Sequence, residues 1–152
     1  MTQKMKGGRR MNDIPVRRGQ IWYADLPDEE IGSVQSGRRP VLVTQSDRLN
    51  RNSTTVVVAI ITSRLKRIDD PAHVVLPIMK GLPMQSMVEA EQRKTISKSQ
   101  LLDYRCTLDN KTMARVTRAL RRCEMDSDGP NYRIRRKRGN KAQVPIRRRS
   151  SK

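Results

Sequence analysis

The sequence predicts a mixed, mainly β domain, a small barrel or curled sheet of short strands, followed by one C-terminal helix and bracketed by basic tails. Three observations predict it. Short β-branched runs such as Val56 to Ile61 recur between polar, turn-rich segments. Apolar residues shift to helical spacing at Met113, Val116, Leu120 and Cys123. The positive charge is concentrated at the ends: residues 1–18 hold six basic residues and one acid, and residues 133–152 hold ten basic residues and no acid.

The elements follow in order. "RGQIWYADL", Arg18 to Leu26, reads as a strand with Ile21, Tyr23 and Asp25 on one face and Trp22 and Ala24 on the other. "PDEEIGSVQSGRR" is a polar, glycine-punctuated loop of more than ten residues, and a loop that long in a compact domain is more often functional than idle. "PVLVTQ" and "TTVVVAIIT" read as buried strands. Between them "SDRLNRNS" offers Ser46 or Asp47 as a cap for one short helical turn. "HVVLPI", "SMVEAE" and "KTIS" supply further short strands, with a turn at "KGLP". In the C-terminal helix Lys111, Arg115, Arg118 and Arg122 make the outer face basic, Thr107 or Asp109 caps the start, and "DSDGP" ends it. The last twenty residues carry too little apolar surface to fold. The expected organisation is therefore a flexible basic N-terminal extension over 1–15, one domain over 16–128, and a disordered basic tail over 129–152.

Lysine and arginine number 33 against 15 acids in 152 residues, a net charge of +18, and a field of that sign points to a polyanion. Between residues 19 and 132 the balance is 17 basic against 14 acidic, so the middle is an ordinary globular domain. Phenylalanine is absent and aromatics make up 3%, which argues against nucleic-acid binding by rows of stacked rings. Cys106 and Cys123 are too few for a disulfide framework and have no metal-ligand partner at close spacing, so they read as reduced core thiols, with no metal ligand and no cofactor assigned. "MTQKMKGGRR" has the charge of a signal peptide without its apolar run, and Val56 to Ile61 is too short to span a membrane, so the expected location is the cytoplasm.

Arg38 and Arg39 stand directly before Pro40, at the junction of the long loop and a rigid strand. RNA carries its own nucleophile, the 2′-hydroxyl, so its cleavage needs only a proton acceptor, a proton donor and a group that stabilises charge on the phosphorus oxygens. The rigid, permanently charged fork of arginine suits the last role. Thr62 closes the apolar run "VVVAIIT". Glu89 and Glu91 share a strand face in "EAEQRKTIS", where one could act as base or orienter. His73, the one histidine, precedes a β-branched run and reads as a structural residue.

Taken together and in order, "RRGQIWYADL", "GSVQSGRRPVLVTQSD", "VVVAIITS" and "EQRKTIS" followed by a helix resemble the MazF/PemK family of toxin endoribonucleases along roughly residues 16–124. That resemblance implies an SH3-like curled β-barrel with appended helices and a homodimer. It implies an mRNA interferase cutting single-stranded RNA at short sequences, without a metal or other cofactor, and a cognate antitoxin whose acidic segment covers the site. By position Arg39 matches the family's catalytic arginine, Thr62 the threonine beside it, and Glu91 an acidic position one branch uses in catalysis. Gln35, Arg38, Ser63, Arg64, Gln92 and Lys94 fall at positions the resemblance assigns to RNA contact. Val34 stands where many members carry glutamate, and Lys94 where many carry arginine. Two other classes remain open at this point. One is a non-enzymatic toxin of the same fold that binds DNA gyrase, as the CcdB branch does. The other is a nucleic-acid-binding module without catalysis.

Overall fold

A computed structural model describes residues 14–27 and 37–125. Its elements are β1 (Gln20–Leu26), β2 (Gly37–Val43), α1 (Asp47–Asn52), β3 (Thr55–Thr62), β4 (His73–Leu76), β5 (Ser86–Ser97), β6 (Leu101–Thr107) and α2 (Asn110–Glu124). The strands form one sheet in the order β4-β5-β3-β2-β1-β6, antiparallel throughout. Among the described residues the edge strands β4 and β6 do not pair with each other. The barrel expected from sequence is thus an open six-stranded sheet with a C-terminal helix.

Strand alternation gives this sheet two apolar faces. Ile21, Leu42, Ala59, Ile61, Val88 and Ala90 point to one, where Val116, Ala119 and Leu120 of α2 cover them. Trp22, Ala24, Val41, Val43, Val58 and Ile60 point to the other, joined by Val56, Ile96 and Leu101 and by the partly buried Ile14, Val16 and Tyr104. Each fully buried side chain of this kind contributes roughly 1.5–3 kcal/mol. Trp22 also meets Tyr104 edge-on, with centroids 5.6 Å apart, and its Nε1–H donates to Gln20 Oε1 at 3.0 Å. At the end of β1 Tyr23 is only half-buried and Asp25 is exposed.

The structure departs from expectation in three places. "SMVEAE" and "KTIS" are one strand, β5, because a register shift opposite Ala59/Ile60 absorbs the segment between Glu89 and Arg93 and lets pairing resume. "LLDYRCT", unassigned from sequence, is the edge strand β6, whose polar residues are tolerated because only one of its edges is paired. Cys123 is exposed, so only the half-buried Cys106, whose Sγ–H donates to Met79 Sδ at 3.5 Å, behaves as a core thiol. The reason is position along the axis: Cys123 shares the helix stripe of Val116 and Leu120 but falls past the part of it that the sheet covers.

Asp109, one of the two expected caps, accepts the Thr112 N–H at 2.7 Å and starts α2, which closes at Glu124. "DSDGP" lies outside the described residues, as do the C-terminal tail and the N-terminal extension up to residue 13. Arg18 fastens three elements. Its N–H donates to Asp47 Oδ1 at 2.7 Å, and its guanidinium donates to the Thr44 carbonyl and to Thr117 Oγ1. This fixes the chain entering β1 to the end of β2, to α1 and to α2, and so sets the frame on which the β2 and β3 ends are held.

Candidate functional site

β2 pairs with β1 from Gly37 onward but with β3 only from Val41. Pro40 has no N–H to extend that second ladder, so the β2–β3 seam opens just where Arg39 stands. Arg39 lies two residues before Val41, and Thr62 lies two residues after its partner Ile60. Both therefore sit at the open end of the seam on the same face of the sheet. Arg39 is half-buried and Thr62 is 4% exposed. Thr62 Oγ1 accepts the Arg64 N–H at 3.1 Å, and its own hydroxyl proton stays available to donate.

Beside this pair lies a cluster contributed by β4 and β5. Glu89 pairs with Ile60 on one side and His73 on the other, placing its side chain on the face that carries Thr62. It is 0% exposed, and neither carboxylate oxygen has a hydrogen-bond partner. Burial pushes its pKa up and the charge of Glu91 adds to this, while Lys66, His73 and Arg39 oppose the rise. His73 Nε2 lies 2.8 Å from Glu91 Oε1, and its Nδ1 faces the carbonyl oxygens of Arg67 at 2.9 Å and Lys66 at 3.2 Å. Burial works against the imidazolium, but the Glu91 hydrogen bond, with the two carbonyls, leaves the His73 pKa raised. His73 thus clips the segment after Thr62 to β5, and that segment includes Arg67 at a left-handed φ of 48°.

The fold brings together some of the residues singled out from sequence and separates others. Arg39 and Thr62 share the open end of the β2–β3 seam, the exposed Ser63 and Arg64 follow Thr62 directly, and Glu91 lies two residues past Glu89 in the middle of β5. Gln92 lies within the irregular stretch of β5. Lys94 pairs with Val58, about 13 Å along β3 from Thr62. Arg38 alternates to the opposite face of β2, where its guanidinium lies 5.5 Å from the Tyr23 ring centroid, with Arg105 at 5.3 Å on the same ring. Gln35 lies outside the described residues, as does Val34. One residue gains importance that the sequence did not give it: His73, read as structural, holds Glu91, its only prior signal being that it is the solitary histidine. Glu89, singled out beside Glu91 as a possible base or orienter, is the buried carboxylate of the two.

Chemically, Arg39 offers a permanent cation and Thr62 a donor hydroxyl at the open end of one seam, with carboxylates and an imidazole on β4 and β5 that can hold or move protons. That set suits an anionic centre that gains charge during reaction.

The chain is similar to known proteins in sequence and in fold. A family described as "PemK-like, MazF-like toxin of type II toxin-antitoxin system" matches residues 17–123. Endoribonuclease EndoA of Bacillus subtilis is 41% identical over 106 residues, covering 69% of this chain and 90% of that protein. Endoribonuclease MazF of Staphylococcus saprophyticus is 38% identical over 106 residues, covering 69% and 88%. Among solved structures, an endoribonuclease in complex with its cognate antitoxin from Mycobacterial species has a TM-score of 0.59 at 26% identity, covering 72% of this chain and 94% of that one. MazF (Form-I) from Deinococcus radiodurans has a TM-score of 0.61 at 24% identity, covering 71% and 94%, a likeness of fold.

Proposed function

The chain belongs to the PemK-like, MazF-like toxins of type II toxin–antitoxin systems, and from that premise we propose that it is a sequence-selective, metal-independent endoribonuclease acting on single-stranded mRNA. The observation that carries this reading is the meeting of Arg39 and Thr62 at the open end of the β2–β3 seam. The substrate's 2′-hydroxyl attacks the adjacent phosphorus, and the bond to the 5′ oxygen breaks. Arg39 donates to the non-bridging oxygens as their charge grows, and Thr62 adds a second donor. Glu91, half-exposed and oriented by His73, takes the proton from the 2′-hydroxyl. Solvent water protonates the departing 5′ oxygen, and the products are a 2′,3′-cyclic phosphate and a free 5′-hydroxyl.

Glu91 fills a role that a loop carboxylate at position 34 would otherwise offer. Ser63, Arg64, Gln92 and Gln35 contact the strand being cut. Lys94 and Arg38 hold more distant stretches of its backbone. The working form is a homodimer in the cytoplasm, restrained by an acidic antitoxin that covers Arg39. A relative solved with its cognate antitoxin and the basic surface of this chain support that partner. No described helix is long and apolar enough to cross a membrane.

The test is to incubate the purified protein with a long single-stranded RNA in EDTA and map both ends of each cut. Cyclic phosphate and 5′-hydroxyl ends at a recurrent short motif are expected. Loss of cleavage in EDTA with rescue by magnesium would overturn the mechanism.

A further inference from the structure

Glu89 is the one charged side chain among the described residues that is fully buried, and neither of its oxygens is hydrogen-bonded. A buried, unpartnered carboxylate is costly enough to require a partner of some kind. The nearest candidates are not donors alone: ligand atoms of His73, Glu89 and Glu91 all lie within 4.8 Å of one another.

We propose that His73, Glu89 and Glu91 bind a divalent transition cation of the zinc class, through His73 Nε2 and one oxygen of each glutamate. Three protein ligands with a fourth position left to water is a recurrent zinc arrangement. Two carboxylates cancel the charge of a dication, so the cluster becomes neutral when occupied. The histidine is already oriented as a ligand must be. Its Nδ1 faces the Arg67 and Lys66 carbonyls, which leaves Nε2 directed at the glutamates. With metal–ligand bonds of about 2.0–2.2 Å, tetrahedral donors lie about 3.4 Å apart, so His73 Nε2 and Glu91 Oε1 must open from 2.8 Å, and Glu91, whose side chain is 43% exposed, has room to move.

An imidazole in the set selects against magnesium and calcium, which take oxygen ligands. The site adjoins Arg39 and Thr62 and shares Glu91, the proposed base, so an occupied site withdraws that carboxylate from proton transfer. Its occupancy therefore changes the field at the proposed cleavage site, whereas cleavage through the substrate's own nucleophile does not need it.

The full-length protein is titrated with zinc chloride against a chromophoric chelator, with magnesium chloride as a parallel arm, and compared with E89Q, E91Q and H73N. One zinc per chain is expected, with binding at least tenfold weaker in each variant, a zinc-dependent rise in melting temperature in the wild type alone, and no response to magnesium. E91Q alters a half-exposed residue and keeps the test decisive should E89Q not fold. Absence of saturable zinc binding below about 0.1 mM would overturn the proposal. So would wild-type affinity in E91Q and E89Q, which would locate the metal on other donors such as Cys123.

Discussion

Thr62 Oγ1 accepts the backbone N–H of Arg64 at 3.1 Å, so the hydroxyl that closes β3 is held by its oxygen with its own proton still available to donate. Under the proposed mechanism that proton meets a phosphoryl oxygen. Thr62→Ala and Thr62→Val should each lower the single-turnover cleavage rate by about 10²-fold. Thr62→Ser should retain most of it. A Thr62→Val rate equal to wild type would remove the hydroxyl from the reaction.

Arg39 and Arg38 should separate cleanly, because consecutive strand residues face opposite ways. Arg39→Ala should cost about 10²-fold or more in rate, and Arg39→Lys should not restore it, since a point charge lacks the fork that spans two oxygens. Arg38→Ala, which removes the cation over Tyr23, should weaken RNA binding and leave the single-turnover rate near wild type. The comparison is made by measuring affinity and saturating rate for all three variants.

Acid stability should depend on Asp47. The Arg18 N–H holds its carboxylate in the ionised form, with help from Asn50 against the opposing effect of burial, so the folded pKa lies below the usual value. A group of this sign stabilises the fold above its unfolded pKa of about 3.9 and loses that contribution as pH falls through the lower folded value. Melting temperatures of wild type and Asp47→Asn should differ at neutral pH and converge toward pH 2. A constant gap would mean that Asp47 acts through shape alone.

Gly81 joins the turn at Met79–Leu82 to β6. Its φ is +95°, its carbonyl accepts Arg105 Nε–H at 2.9 Å, and an added Cβ would collide with the Arg105 carbonyl. Gly81→Ala should destabilise by more than about 1 kcal/mol in urea unfolding, with no change in the RNA sites cut.

The ten basic residues of 133–152 should bind RNA backbone without reading bases. Deleting them should flatten the dependence of log affinity on log salt by about 0.7 for each single-strand phosphate that the tail no longer neutralises. The cleavage motif should be unchanged. Identical slopes would exclude the tail from binding.

Much of the fold is legible because side-chain shape speaks locally. Val41–Val43, Val56–Ile61 and Val74–Val75 are β-branched runs, and α2 carries its apolar stripe in the open. β6 escaped because Asp103 and Arg105 interrupt "LLDYRCT", and an edge strand needs apolar residues on fewer sides. Arg39 and Thr62 were legible as strand ends. The meeting of His73 with Glu91, and the burial of Glu89, depend on the β4–β5 register and on a bulge, and neither leaves a mark within any one segment.

The strand order also times the birth of the molecule. β1 is synthesised first, yet one of its two hydrogen-bonding edges belongs to β6, where Gln20 pairs with Thr107. At 5–20 residues per second, roughly 4–16 s of translation separate the two strands. Until then β1 presents an unpaired apolar edge, open to any neighbouring strand, and the nascent chain depends on whatever shields that edge before its own last strand arrives.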